Sequence, residues 1–372
     1  MTAEAMADGL AVGPVVIPLG AAAITMLLRR LPRLQRTVME AGVGLMLAAA
    51  ALLMTRAARG EPVVVKFGGW VAPFGITFVA DTLGAALCTA AGIVALAVAI
   101  FARADIRDRR RRAGFDPLFL GMCTAVNGAF LAGDVFNLYV WFELMLVTAI
   151  GLVTVDRRRA QIDGAFRYAA LTTVGATFML IGIGLLYGET GTLDMIDLAQ
   201  TLAGRAPSVA LIAAGYLLLA GLVLKAGMFP LFFWLPASYH TAPVSVSAAL
   251  AGLLTKAAFC ACLRILVVVF GVGTATPAVP GMPALLAVLA AATMLVSVLA
   301  AIAQVDLRRL LAFHVVGQVA YLMMGLALAS QAVPRRPSST PCTRCSSRQV
   351  SFSALARSLA PAAATICARS VV

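Results

Sequence analysis

Runs of about twenty apolar residues recur from one end of this 372-residue chain to the other. A helix of that length crosses the hydrocarbon core of a bilayer. In lipid, every backbone polar group has to be satisfied within the spanning element, so such a chain folds as a bundle of helices. Hydrophobic residues make up 62% of the sequence and charged residues 12%, against an apolar share of about 45–50% in soluble domains. The expected fold class is an all-α polytopic membrane protein with ten spans: Leu10–Leu28, Val38–Met54, Thr82–Phe101, Phe115–Leu131, Val135–Val155, Phe166–Leu186, Val209–Leu231, Val244–Phe270, Leu285–Ala303 and Leu310–Leu328.

The loops support this count. Arg29, Arg30, Arg33 and Arg36 follow span 1; Arg103, Arg107 and the run Arg109 to Arg112 follow span 3; Arg157, Arg158 and Arg159 follow span 5; Arg308 and Arg309 precede span 10. The loops after spans 2, 4 and 6 carry Glu61, Asp81, Asp134, Glu189, Asp194 and Asp197 with few Arg. Positive charge favours the cytoplasmic side, which places the N-terminus in the periplasm of a multi-pass protein in a bacterial inner (plasma) membrane. The net charge of +13 is thus a topology signal at the bilayer rather than a nucleic-acid footprint. Glu4 and Asp8 precede the first apolar run, unlike the basic start of a secretory signal. Between spans 2 and 3, two β-rich runs flank Gly68-Gly69, which predicts a short periplasmic hairpin within 61–81. Cys88, Cys123, Cys260 and Cys262 lie inside apolar runs and read as packing residues. Cys342 and Cys345 form a lone CxxC, too little for a metal site.

Against this apolar background, single charges are informative. An ionisable residue at mid-membrane costs at least about 2.5–3.5 kcal/mol, so it marks a candidate functional site. Glu143 lies near the middle of span 5, Lys225 in span 7, Lys256 near the centre of span 8 and His314 early in span 10; His240 sits in the connection between the two Lys-bearing spans. Pro230 follows Lys225 closely. A helical proline frees the carbonyl four residues back, here that of Ala226, so a broken helix is expected at Lys225–Pro230, a feature tolerated at membrane depth where it lines a polar cavity. Burial favours the neutral form of an amine and a nearby carboxylate favours the charged form. Moving Glu143 toward or away from Lys225 would therefore change how tightly Lys225 holds its proton. Spans 7 and 8 run antiparallel, and Lys256 lies about 18 Å into its helix at 1.5 Å per residue. The two Lys should then share a depth near the midplane, with a water or two between them and protons entering near His240.

The segments Phe-Asn-Leu-Tyr-Val-Trp-Phe-Glu (136–143), Leu-Lys-Ala-Gly-Met-Phe-Pro-Leu-Phe-Phe-Trp-Leu-Pro (224–236), His-Thr-Ala-Pro-Val-Ser-Val-Ser-Ala-Ala-Leu (240–250) and Gly-Leu-Leu-Thr-Lys (252–256) resemble the Mrp-type sodium/proton antiporter family. That family also includes the antiporter-like subunits of respiratory NADH–quinone oxidoreductase and of membrane-bound hydrogenases. The wording of 136–143 is most similar to the D-type subunit of the Mrp complex, and the resemblance covers roughly residues 10–330. It implies that Glu143 is the carboxylate of the fifth core helix, Lys225 the lysine of the broken helix, Lys256 the bridging lysine of the next helix and His240 the loop histidine. It also implies a fold of about fourteen helices, whose second inverted repeat carries an exit path that this chain lacks.

The resemblance divides the chain into N-terminal helices (1–112), a proton-translocating module (113–270), the start of a second inverted repeat (271–333) and a tail (334–372). The tail carries six Arg and no acidic residue and reads as a frameshift product. With TCN codons for Ser, reading one base earlier across Pro337 to Thr343 allows apolar residues followed by His or Tyr, and a Lys becomes possible where Ser347 meets Arg348. A genuine basic tail is the alternative. The function expected is a proton-translocating subunit of a multisubunit Na+ or K+/proton antiporter, not itself an enzyme, working with other subunits of a hetero-oligomeric complex. No flavin, haem or iron–sulfur ligand set is recognisable, so no cofactor is expected. The alternatives are a proton-pumping subunit of an NADH–quinone oxidoreductase or membrane-bound hydrogenase, and a non-transporting scaffold fragment.

Overall fold

The computed structural model describes residues 3–70, 73, 75–272 and 278–332. The tail from Pro334, with Cys342 and Cys345, lies outside the described residues. In chain order the helices are α1 (Ala3–Leu27), α2 (Pro32–Ala58), α3 (Thr82–Asp105), the short α4 (Asp108–Arg112), α5 (Phe115–Leu131), α6 (Val135–Val153) and α7 (Arg159–Thr190). There follow the short α8 (Met195–Thr201), α9 (Val209–Ala226), the short α10 (Trp234–Tyr239), α11 (Val244–Ala249), α12 (Thr255–Leu263), α13 (Met282–Ile302) and α14 (Leu307–Ala332). The eighth span runs Val244–Val269 through α11, α12 and two π-helical stretches, Leu250–Leu254 and Arg264–Val269. Among the described residues nine spans are long and apolar enough to cross a membrane, and α5, with 17 residues, is a shorter apolar tenth. All ten expected spans are thus helices.

Burial explains how the shorter α5 is accommodated. Nearly every side chain from Phe115 to Leu131 is buried, packed against α1, α2, α3, α6 and α12. A helix walled in by other helices need not match the lipid thickness. The eighth span is the other central element: 89% of its apolar window is buried, against 22% for α13. It contacts α3, α5, α9 and α14 and so joins the N-terminal helices to the α13–α14 hairpin.

The two ends of the bundle differ in charge as the loops predict. At one end Arg110 makes a two-pronged bond to Asp156, both at 2.8 Å, and a further contact to Asp105. The Arg110 guanidinium holds the Asp156 carboxyl below the usual carboxylate range. Asp105 in turn accepts from the backbone N–H and hydroxyl of Ser245, and Arg308 donates to the carbonyls of His240 and Ala242. The loops after spans 3, 5, 7 and 9 therefore meet at one Arg-rich end.

The Arg-poor end gathers the loops after spans 2, 4 and 6. Here Thr77 donates to Asp194 at 2.8 Å, and the backbone at Asp134 bridges that at Asp194. Helices rising from this end start on side-chain caps: Asp81 for α3, Asp134 for α6 and Ser208 for α9, each satisfying N–H groups that the first turn leaves open. Burial pushes the Asp134 carboxyl up to about 6, with the N–H groups of Asn137 and Phe136 pulling the other way and Asp194 adding to the rise. The folded carboxyl thus holds its proton above its ordinary value of 3.8, and the associated stability is lost as pH climbs from about 4 through 6. Asp134→Asn keeps the cap and removes the titration. It is expected to flatten the pH dependence of thermal stability in that window by up to about 3 kcal/mol, as read by melting in detergent at a series of pH values; an unchanged slope would contradict this.

The expected hairpin forms, and the end of span 7 shifts. The hairpin exists, with β1 (Val63–Lys66) antiparallel to β2 (Thr77–Ala80) and Val65 opposite Phe78. Its connection contains Gly68-Gly69, as the flanking β-rich runs predict, and the Phe67 N–H closes it onto the Ile76 carbonyl. Span 7, expected to reach Leu231, ends at Ala226. Gly227 takes a left-handed φ of 72°, which glycine adopts without a Cβ clash, and its N–H caps the Val223 and Leu224 carbonyls. The break comes from Gly227, and Pro230 lies beyond the helix.

Candidate functional site

The break in α9 creates the site. Lys225 is the penultimate residue of the helix, and the carbonyls orphaned there need donors. The Met228 N–H takes the Val223 carbonyl at 3.1 Å. Trp234, fully buried, turns its indole N–H to the Leu224 carbonyl at 3.2 Å. One step on, the Phe229 N–H is held by the Thr293 hydroxyl of α13 at 3.0 Å. The unwound backbone is thereby held by one side chain from the segment after the break and one from α13.

Lys225 reaches Glu143 from this platform. Its Nζ lies 3.4 Å from Oε1 of Glu143 on α6 and 5.2 Å from the Phe142 ring centre. The Lys side chain is 5% exposed and that of Glu143 34%, so the carboxylate sits at the edge of the chain and the amine inside it. Beside Lys225 is a cavity of about 10 Å³ lined by Phe142, Met145, Leu146, Tyr168, Thr172, Lys225 and Leu254, room for about one water. The Tyr168 ring, which lines the same cavity, packs obliquely on Trp234 at 4.9 Å.

Lys256 is one helix over. It is 2% exposed, and its Nζ donates to the Ala251 carbonyl at 2.7 Å, within the first π-helical stretch. A π turn spaces carbonyls more widely than an α turn and recurs at functional sites; here it presents an acceptor to a cation inside its own helix. Leu254, two residues before Lys256, lines the Lys225 cavity, and α12 packs on α9. The two lysines thus occupy neighbouring segments.

The histidines lie apart from this pair. His240 is at the Arg-rich end, with Nδ1 2.6 Å from the Pro236 carbonyl and Nε2 3.4 Å from Arg309. A carbonyl only accepts, so Nδ1 is the donor to Pro236, and Nε2 faces the Arg309 guanidinium. His314 is exposed on α14. Reading the sequence for charge does not single out Tyr168, Thr172, Trp234 or Thr293, because they are uncharged. The one signal for Trp234 is its indole N–H, which requires a partner wherever it is buried. Among the described residues no group of three or more His, Cys, Asp or Glu is placed to hold a metal ion.

The fold and the Glu143–Lys225 pair define an integral membrane protein of many helices with ionisable groups coupled inside the bundle. Residues 132–334 match the NADH:quinone oxidoreductase/Mrp antiporter transmembrane family, and the chain belongs to that family. It is 33% identical over 324 residues to the D-type subunit of the Na(+)/H(+) antiporter of Alkalihalophilus pseudofirmus, covering 87% of this chain and 65% of that protein. It is 37% identical over 320 residues to the N-type subunit of the NADH-quinone oxidoreductase of Desulforudis audaxviator, covering 85% of this chain and 63% of that one. A chain in the structure of the Mrp complex from a Dietzia species superposes with a TM-score of 0.79 at 32% identity, covering 87% of this chain and 59% of that chain. The chain therefore spans slightly less than two thirds of the length of the relatives it matches.

Proposed function

We propose that the chain is a proton-translocating membrane subunit of a multisubunit Na+ or K+/proton antiporter. The observation that carries this reading is the 3.4 Å Glu143–Lys225 contact beside a helix break. Protons enter at the Arg-rich end near His240, load Lys225 and Lys256, and are held or released as Glu143 approaches or withdraws. His314 continues the path on α14. Residues 113–270 form the translocating module, with 1–112 as its N-terminal flank and 271–333 as the start of a second repeat. The Arg-rich end faces the cytoplasm and the N-terminus the periplasm of a bacterial inner membrane, following the bias of positive loops. Coupling to the metal cation runs through other subunits of the complex.

The resemblance to an NADH-quinone oxidoreductase subunit supports a second reading, in which the same relay is driven by a redox partner. Inverted vesicles carrying the complete complex, with and without this chain, separate the two. The antiporter reading expects proton movement driven by an Na+ or K+ gradient that is lost without the chain. Cation-driven flux of equal size in its absence would contradict the antiporter reading. Quinone reduction that depends on the chain would favour the redox one.

A further inference from the structure

Besides Lys256, the eighth span carries a second buried cation that the relay does not use. Arg264 is 4% exposed and starts the second π-helical stretch. Its Nη2 donates to Asp81 Oδ1 at 2.8 Å and to the Phe130 carbonyl at 2.9 Å, and the Cys260 thiol faces the same guanidinium. The three anchors come from the eighth span, the cap of α3 and the end of α5, all at the Arg-poor end. Asp81 Oδ1 also takes the Gly84 N–H at 2.8 Å. A Cβ at Gly84 would lie 2.9 Å from Asp81 Oδ1 and 3.0 Å from Arg264 Nη2, so the guanidinium is seated where only glycine leaves room. Lys256 precedes Arg264 by eight residues, about 12 Å along the helix.

We propose that Arg264, seated on Asp81 and Phe130, is an electrostatic plug that stops protons on Lys256 from leaving straight along the eighth span through the Arg-poor end. The inference rests on Lys256 carrying transported protons. An arginine keeps its charge at any working pH, so a proton advancing from Lys256 always meets a fixed cation. The Asp81 carboxylate caps α3 at the Arg-poor end and anchors Arg264 there. Protons on Lys256 are then left with the lateral route toward α14, which packs against α12.

The test is passive proton leak into proteoliposomes holding the complete complex, under an imposed pH gradient and with no coupling cation. Arg264→Gln and Arg264→Met are expected to leak about tenfold faster than wild type, the effect of removing a unit charge some 12 Å from the proton at an effective dielectric of about 20. Arg264→Lys keeps the charge and stays tight. Asp81→Asn stays tight as well, because asparagine still caps α3 and still accepts from Arg264. Adding Lys256→Met to Arg264→Gln is expected to close the leak. A structural tie alone would make Asp81→Asn and Arg264→Gln alike, and that outcome overturns the plug. So do neutral variants as tight as wild type, and neutral variants that fail to assemble when Arg264→Lys assembles. The assay needs no cation-driven flux, so absent antiport in the wild type would count against the proposed function and leave the leak comparison readable.

Discussion

Lys225→Arg and Lys256→Arg are each expected to insert and assemble normally and to lose cation-driven proton transport. Arginine keeps the positive charge but does not release a proton in a protein, so a side chain that has to load and unload stops working. The loss should reach about a hundredfold or more, the scale of removing a positioned proton-transfer group. The surroundings of each lysine argue that the substitution is tolerated. Lys225 sits at the end of a helix beside a cavity, where a longer head has some space, and Lys256 already bonds a carbonyl of a widened turn. Flux in vesicles carrying the complex reads the result. Robust transport by both arginine variants would mean that the two lysines serve only as fixed charges.

Glu143→Gln is expected to reduce transport by a similar factor through a different cause. Glutamine is nearly isosteric and can still accept a hydrogen bond from Lys225 across the observed 3.4 Å. It cannot supply the negative charge that makes the affinity of Lys225 for its proton depend on the separation of the pair. Removing one member of a buried ion pair also destabilises, by about 3–5 kcal/mol when both are fully buried. Glu143 is one-third exposed within this chain, so its variant should fold with a smaller penalty than that. Assembly by size-exclusion chromatography and flux in the same preparation separate the two effects: intact assembly with lost flux supports the pair, and wild-type flux counts against it.

Much of this architecture is legible in the sequence because lipid imposes a simple rule. Apolar length decides which segments span, and Arg placement sorts the loops into two ends, so the ten spans and the Arg-rich and Arg-poor ends agree with the structure. The pairing of Glu143 with Lys225 is legible for the same reason, since each stands alone in an apolar run. What fails to show depends on backbone conformation or on neutral side chains. Pro230 is the conspicuous helix breaker, yet Gly227 ends the helix three residues earlier, because a left-handed cap acts before the proline ring can clash. Trp234 and Thr293 satisfy the broken backbone, and their composition marks them only as apolar or weakly polar. Arg264 stands in view as a charge but lies close to the end of its span, where a long basic side chain is expected to reach for water; the fold buries it against Asp81 instead.

In the proposed relay, the proton on Lys225 is held or released as the charged Glu143 carboxylate approaches or withdraws. Infrared difference spectroscopy of the assembled complex, before and after a jump in the coupling cation, reads the carboxylate and its surroundings directly. The expected result is a carboxylate-stretch difference that appears with the jump in the wild type, is absent in Glu143→Gln and stays static in Lys225→Arg. No carboxylate change in the wild type, or the same change persisting in Glu143→Gln, would contradict it.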